Sequence, residues 1–172
     1  MNTLLKVALL SSAIVLLNAP CMAQPPAPAV STSIPADAIN PNVTLQQACQ
    51  HGFSASTDED GEKVRDVASA DHKDVYRAAG VVEGSNPDHC INGHGSPYEV
   101  DHRISLMIGG TNHRSNLVLQ EYCGPYNAHM KDKLELYVRK QICTGKVTLQ
   151  EGQAMLYLDW KSEYDKAFGK PQ

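Results

Sequence analysis

Apolar residues recur at helical spacing through the last third of the chain. Met130, Leu134, Tyr137, Val138 and Ile142 form one stripe closed by Gly145, which predicts a helix from about Tyr126 to Thr144. A second stripe (Leu149, Leu156, Trp160, Tyr164, Phe168) predicts a helix over 148–168, and Thr148 and Glu151 are spaced as a capping box at its start. The aromatics of that stripe read as core. Further upstream, Ser69–Ala79 has helical composition, with Ser69 as candidate cap and Gly80 as stop, and a short helix carrying Cys49 fits between Thr44 and Phe53. Between these helices the pattern changes. The stretch 81–97 is loop-like, Tyr98–His102 reads as a short strand, and Asn116–Leu119 reads as its return after the Gly109-Gly110 turn. The expected class is α+β, with a hairpin and a helix at the centre and further helices flanking them.

The two ends of the chain differ in character. Lys6, the apolar run Val7–Leu17 and the small-residue exit around Cys21-Met22-Ala23 have the layout of a secretory signal peptide over residues 1–23, with cleavage after Ala23. The run is shorter than the roughly 20 apolar residues that span a bilayer. A secreted or periplasmic protein without integral membrane association after signal removal is therefore expected. Residues 24–41 are rich in Pro and Ala and read as a flexible tether, leaving 42–172 as the folded domain.

Composition narrows this picture. At 172 residues, with 42% hydrophobic and 20% charged, the chain suits one globular domain and excludes collagenous, coiled-coil and wholly disordered classes. Fifteen Lys and Arg against nineteen Asp and Glu exclude a globally basic nucleic-acid binder. The charge is uneven, however: residues 101–146 hold seven cations and four anions, whereas the rest of the chain after residue 23 is strongly acidic. Phosphate contacts need such a local cationic region; the acidity elsewhere disfavours tight binding of long duplex. Cys49, Cys90, Cys123 and Cys143 follow the signal, and four cysteines in an exported domain imply two disulfides, with three connectivities open. A zinc site built from Cys90, His94 and Cys123 is the competing reading, weakened because no Cys-x-x-Cys pair occurs.

One segment carries chemistry. Residues 98–135 place Asp101-His102 at a strand end, then Gly109-Gly110, then Asn116-Leu117 entering the return strand, then a helix bearing Asn127, His129 and Lys131. That order resembles the HNH, or ββα-metal, endonuclease family, and within it the small HNH-type proteins that bacteria export. The resemblance spans roughly Cys49 to Trp160 and is densest between Glu99 and Glu135. It implies a treble-clef-like hairpin–helix core and a secreted endonuclease that hydrolyses phosphodiester bonds of DNA or RNA with low sequence specificity. His102 would be the general base for water, since an imidazole titrating near neutrality can accept a proton. Asn116 would pin the loop that carries it. Asp101 would ligate one divalent metal ion, with His129 or Asn127 as the helix-borne partner; Mg²⁺ is the foremost candidate, with Mn²⁺, Ni²⁺ or Zn²⁺ as alternatives. Arg103, Arg114 and Lys131 are the candidate phosphate contacts. Ser105 departs from the family pattern, which commonly has Pro there. His113 reads as solvated. Since relatives carry cysteines at similar places, Cys49–Cys143 and Cys90–Cys123 are the expected disulfides, and a monomer is expected. The rival functions are a catalytically silent ββα-metal interaction module in the cell envelope, or an enzyme with another substrate at the same site.

Overall fold

The computed structural model describes residues 33–56, 63–86 and 96–171. The expectations for the signal peptide, for most of the tether and for Cys90 fall outside them. Among the described residues, two strands form one antiparallel sheet and there are four α-helices, an α+β arrangement. Strand β1 (Tyr98–His102) pairs with β2 (Leu117–Glu121) in a register running from Tyr98↔Glu121 to His102↔Leu117. The helices are α1 (Leu45–Cys49), α2 (Ser69–Ala79), α3 (Ala128–Cys143) and α4 (Leu149–Phe168). None of the described helices is long and apolar enough to cross a membrane.

Local chemistry explains the helix ends. Thr44 with Gln47, and Thr148 with Glu151, form reciprocal capping boxes at the starts of α1 and α4, so each pair satisfies otherwise orphaned backbone donors. Asn127 caps α3, so that helix begins two residues later than the apolar stripe alone suggested. Ser69 is already helical in α2, and Ala68 holds the cap position without a side-chain bond, which corrects Ser69 as the cap. Gly80, at φ 68°, ends α2 in the left-handed conformation that glycine adopts cheaply. In α4 the apolar stripe runs unbroken, but the backbone does not: Asp159 leaves helical geometry (φ −156°, ψ 67°) and its Oδ1 accepts the Ser162 amide at 3.2 Å. A short carboxylate capping a new turn competes with the helix around it.

The core gathers Ala38, Ile104, Ile108, Leu134, Val138, Ile142, Leu156 and Tyr164. Helices α3 and α4 approach closely where Gly152 faces Ile142; a Cβ on Gly152 would lie 2.5 Å from the Ile142 Cδ1. Ala38 in this core corrects the tether, whose last part packs. Ile34 and Ile39 lie against the core, the Asn40 amide donates to the Gly109 carbonyl at 2.8 Å, and Ile39 bridges Gly110. Apolar side chains interleaved among the prolines explain why this part is ordered.

Cys49 and Cys143 form a disulfide that joins α1 to the end of α3, as expected. One turn earlier in α3, Arg139 donates from Nε to the Ala48 carbonyl at 2.7 Å and from a terminal nitrogen to the Gln50 carbonyl at 2.8 Å. The carbonyls that α1 leaves unpaired at its end are thus answered from α3. Cys123 is also disulfide-bonded.

The strands are joined by a long loop, 103–116, which contains two 3-10 turns. Gly110 is where it closes on itself: a Cβ there would sit 1.9 Å from the Ile104 carbonyl oxygen and 2.8 Å from Asn116 Nδ2. Gly110→Ala should therefore open the loop and cost about 1–3 kcal/mol, as forcing extra atoms into a packed site does. Thermal denaturation checks this: if Gly110→Ala costs less than about 1 kcal/mol, the close approach does not matter.

Candidate active site

Asn116 holds the loop together. It is fully buried, its Oδ1 accepts the Ile104 amide at 2.8 Å, and its Nδ2 donates to the carbonyls of Ile104 (3.0 Å) and Thr111 (2.9 Å). Its own carbonyl accepts the Arg103 amide at 2.6 Å. One amide side chain thereby satisfies backbone groups that a loop, lacking a ladder, would leave unpaired. The place this gives Asn116 is that of a pin for the segment following His102.

His102 lies at the end of β1 with 1% of its surface exposed. Its Nε2 is 3.0 Å from Asn112 Oδ1, while Nδ1 is buried without a hydrogen-bond partner. Burial lowers its pKa from the ordinary value, with the Asn112 hydrogen bond opposing. The ring is therefore neutral near pH 7. Asp101, the preceding residue, accepts the His102 amide on Oδ1 at 2.7 Å and the Lys131 ammonium on Oδ2 at 2.7 Å.

Lys131 is the surprise of the site. It was expected to reach a phosphate, but it is 1% exposed and its ammonium is fully used. Besides Asp101 it donates to the His102 carbonyl at 2.7 Å and to Glu135, one turn further along α3. Desolvation alone would lower its pKa, yet Glu135 and Asp101 outweigh this and hold it above the usual lysine value. Burial raises the Glu135 pKa, with Lys131 opposing. A side chain with three donors and three acceptors around it has none left for a ligand, which corrects its assignment.

Two further residues have structural tasks. Arg114 donates to the Leu117 carbonyl at 3.0 Å and the Asp74 carbonyl at 3.5 Å, so it ties β2 to α2 and has a structural task in place of the expected phosphate contact. Asn127 has Oδ1 on the Met130 amide at 3.2 Å and Nδ2 on the Gly124 carbonyl at 3.1 Å, so it serves as the cap of α3. His129 is exposed on the first turn of α3, with its ring 5.3 Å from that of Tyr122. Arg103 is half-buried with its guanidinium 5.6 Å from the Tyr157 ring centre. His113 is exposed and caps a 3-10 turn by accepting the Ser115 amide.

Several site residues escaped the sequence reading. Glu99, two positions before Asp101 and so on the same face of β1, accepts a 2.5 Å hydrogen bond from the Tyr122 hydroxyl. Desolvation raises the Glu99 pKa and the charge of Asp101 adds to it; Asp132 is raised by the same two causes. Glu99, Asp101 and Asp132 thus form a mutually repelling group around the strand end. The i, i+2 spacing of Glu99 and Asp101 and the i, i+4 spacing of Lys131 and Glu135 were available signals. Asn112 offered none. Among the described residues, no three His, Cys, Asp or Glu side chains converge closely enough to hold a metal ion by themselves.

Comparison with protein-family models, with curated proteins and with solved structures finds no match to this chain.

Proposed function

We propose that the chain is an exported, metal-dependent endonuclease of the HNH, or ββα-metal, kind, acting on DNA or RNA with low sequence specificity. The observation that carries this reading is the joining of the β1 end to α3: a buried His102 beside an Asp101 that Lys131 ties to the helix following the hairpin. The Cys49–Cys143 disulfide agrees with an oxidising compartment.

The donor set fits a hard divalent cation. Mg²⁺ sites commonly use one or two carboxylates and leave the remaining positions to water and substrate phosphate. Asp101 would hold the ion, since each of its engaged oxygens keeps a second lone pair; His129 or Asp132, on the first turns of α3, would be the second ligand. The mutual repulsion of Asp101, Asp132 and Glu99 is what a bound cation would relieve. When bound, such an ion neutralises charge on the leaving oxygen of the phosphodiester. The protein's own groups do the rest. His102, uncharged at neutral pH, takes a proton from the attacking water. Lys131 holds the Asp101 carboxylate and the His102 carbonyl in one place, and Asn116 keeps the following loop from drifting. Arg103 is the remaining candidate cation for a phosphate oxygen.

A second reading, a non-catalytic interaction module, is favoured by one observation: His102 is almost wholly covered, and a general base needs water at its nitrogen. Plasmid digestion by protein lacking residues 1–23 separates the two. Nicking with Mg²⁺ or Mn²⁺ that EDTA abolishes is the expected result. A protein inert with Mg²⁺, Mn²⁺, Ni²⁺ and Zn²⁺ in turn, though folded, would overturn the nuclease reading in favour of the module.

A further inference from the structure

Asn112 follows the loop closure at Gly110 and lies between the imidazole of His102 and the segment that precedes α2. Its Nδ2 donates to the Val64 carbonyl at 2.9 Å. A carbonyl oxygen only accepts, so this contact fixes which way the amide faces: nitrogen to Val64, oxygen to His102. The Asn112 Oδ1, 3.0 Å from His102 Nε2, is likewise only an acceptor. A hydrogen bond there requires the proton on Nε2. In a neutral ring the other nitrogen is then bare, and Nδ1 is the buried atom without a partner. Val64, Asn112 and His102 form a chain whose far end, a backbone carbonyl, sets the tautomer at the near end.

We propose that Asn112 is the positioning residue of this site: through its contact with the Val64 carbonyl it holds His102 in the Nε2–H tautomer and so makes Nδ1 the nitrogen that takes the proton. The inference rests on the reading of His102 as general base for its catalytic meaning, but the tautomer itself can be read without any turnover. Asn112 touches no reacting atom. It acts by aiming the ring, as the group behind a catalytic imidazole commonly does.

The test is the ¹⁵N–¹H correlation spectrum of histidine side chains in the full chain after residue 23, without added metal, with the His102 signals assigned by their loss in His102→Gln. The wild-type pattern is expected to be that of a single Nε2–H tautomer. In Asn112→Ala the pattern should shift toward a mixture of tautomers. Asn112→Asp, whose carboxylate still accepts from Nε2–H, should restore it. In plasmid or dinucleotide hydrolysis, Asn112→Ala should lower kcat by about 10–100-fold, the usual effect of removing a supporting partner, with KM nearly unchanged. A wild-type proton on Nδ1 would overturn the proposal, and so would an Asn112→Ala spectrum identical to wild type. Should Asn112→Ala fail to fold, the wild-type and Asn112→Asp spectra decide. An Nε2–H tautomer in a protein that cuts no nucleic acid would leave this assignment standing and remove the nuclease reading alone.

Discussion

Lys131→Met is expected to lose about 3–5 kcal/mol of stability, the range seen when one member of a buried charge cluster is removed. Methionine matches the length of the lysine stem, so little packing is lost and the effect isolates the charge. What remains is the Glu135 carboxylate, itself buried, and Asp101, both deprived of the cation that offsets their desolvation. The His102 carbonyl also loses its donor. Urea denaturation should show a lower midpoint with an unchanged slope. Adding Glu135→Leu to Lys131→Met should recover a good part of the loss, because the double variant removes the more deeply buried of the two stranded anions and fills its space with an apolar group. A single variant that costs less than about 1 kcal/mol would mean that water reaches the cluster and screens it as at a surface.

His102→Ala is expected to lower phosphodiester hydrolysis by about 10²–10⁴-fold, the usual contribution of general acid–base catalysis. Affinity for the activating metal should stay nearly constant, because Asp101 and Lys131 are untouched. Asp101→Ala should do the reverse: weaker metal binding, with activity partly restored at high metal concentration. The pH profile supplies a second check. Burial lowers the His102 pKa, so the neutral, proton-accepting form persists as pH falls below 6.5. The acid limb of the wild-type rate should accordingly lie below 6.5, and it should vanish from whatever activity His102→Ala retains. Wild-type rates in His102→Ala would exclude this imidazole as the base.

Much of the fold was legible because it depends on local periodicity. The bounds of β1 and α2 were read directly, and the capping box of α4 was visible in Thr148 and Glu151. The Asp159 break was hidden, because the apolar stripe continues through it while the decisive interaction is one carboxylate with one amide. The packing of Ala38 was hidden for a different reason. Proline-rich composition describes an average tendency, and a few well-placed apolar residues override it when a groove receives them. Asp101, His102 and Asn116 were singled out by their order along the chain, and the structure brings them together where β1 meets β2. Lys131 was misread because helical spacing says which residues share a face but not whether that face is wet. Asn112 could not have been read at all: its partners are ten residues upstream and forty-eight residues upstream, and neither separation belongs to a regular element.

The clasp between α1 and α3 bears on the order in which the chain can complete its structure. A ribosome, or any pore threaded from the amino end, delivers residues 34–50 first. Yet their partners arrive much later: Gly109 for Asn40, Arg139 for Ala48 and Gln50, Cys143 for Cys49. With 94 positions separating the bridged cysteines, no early local contact can stand in for these. The leading segment must wait for its tertiary partners until the second half emerges and the entropy of closing so long a span is repaid at once. A chain cut short before α3 would therefore leave its front as well as its back unfinished.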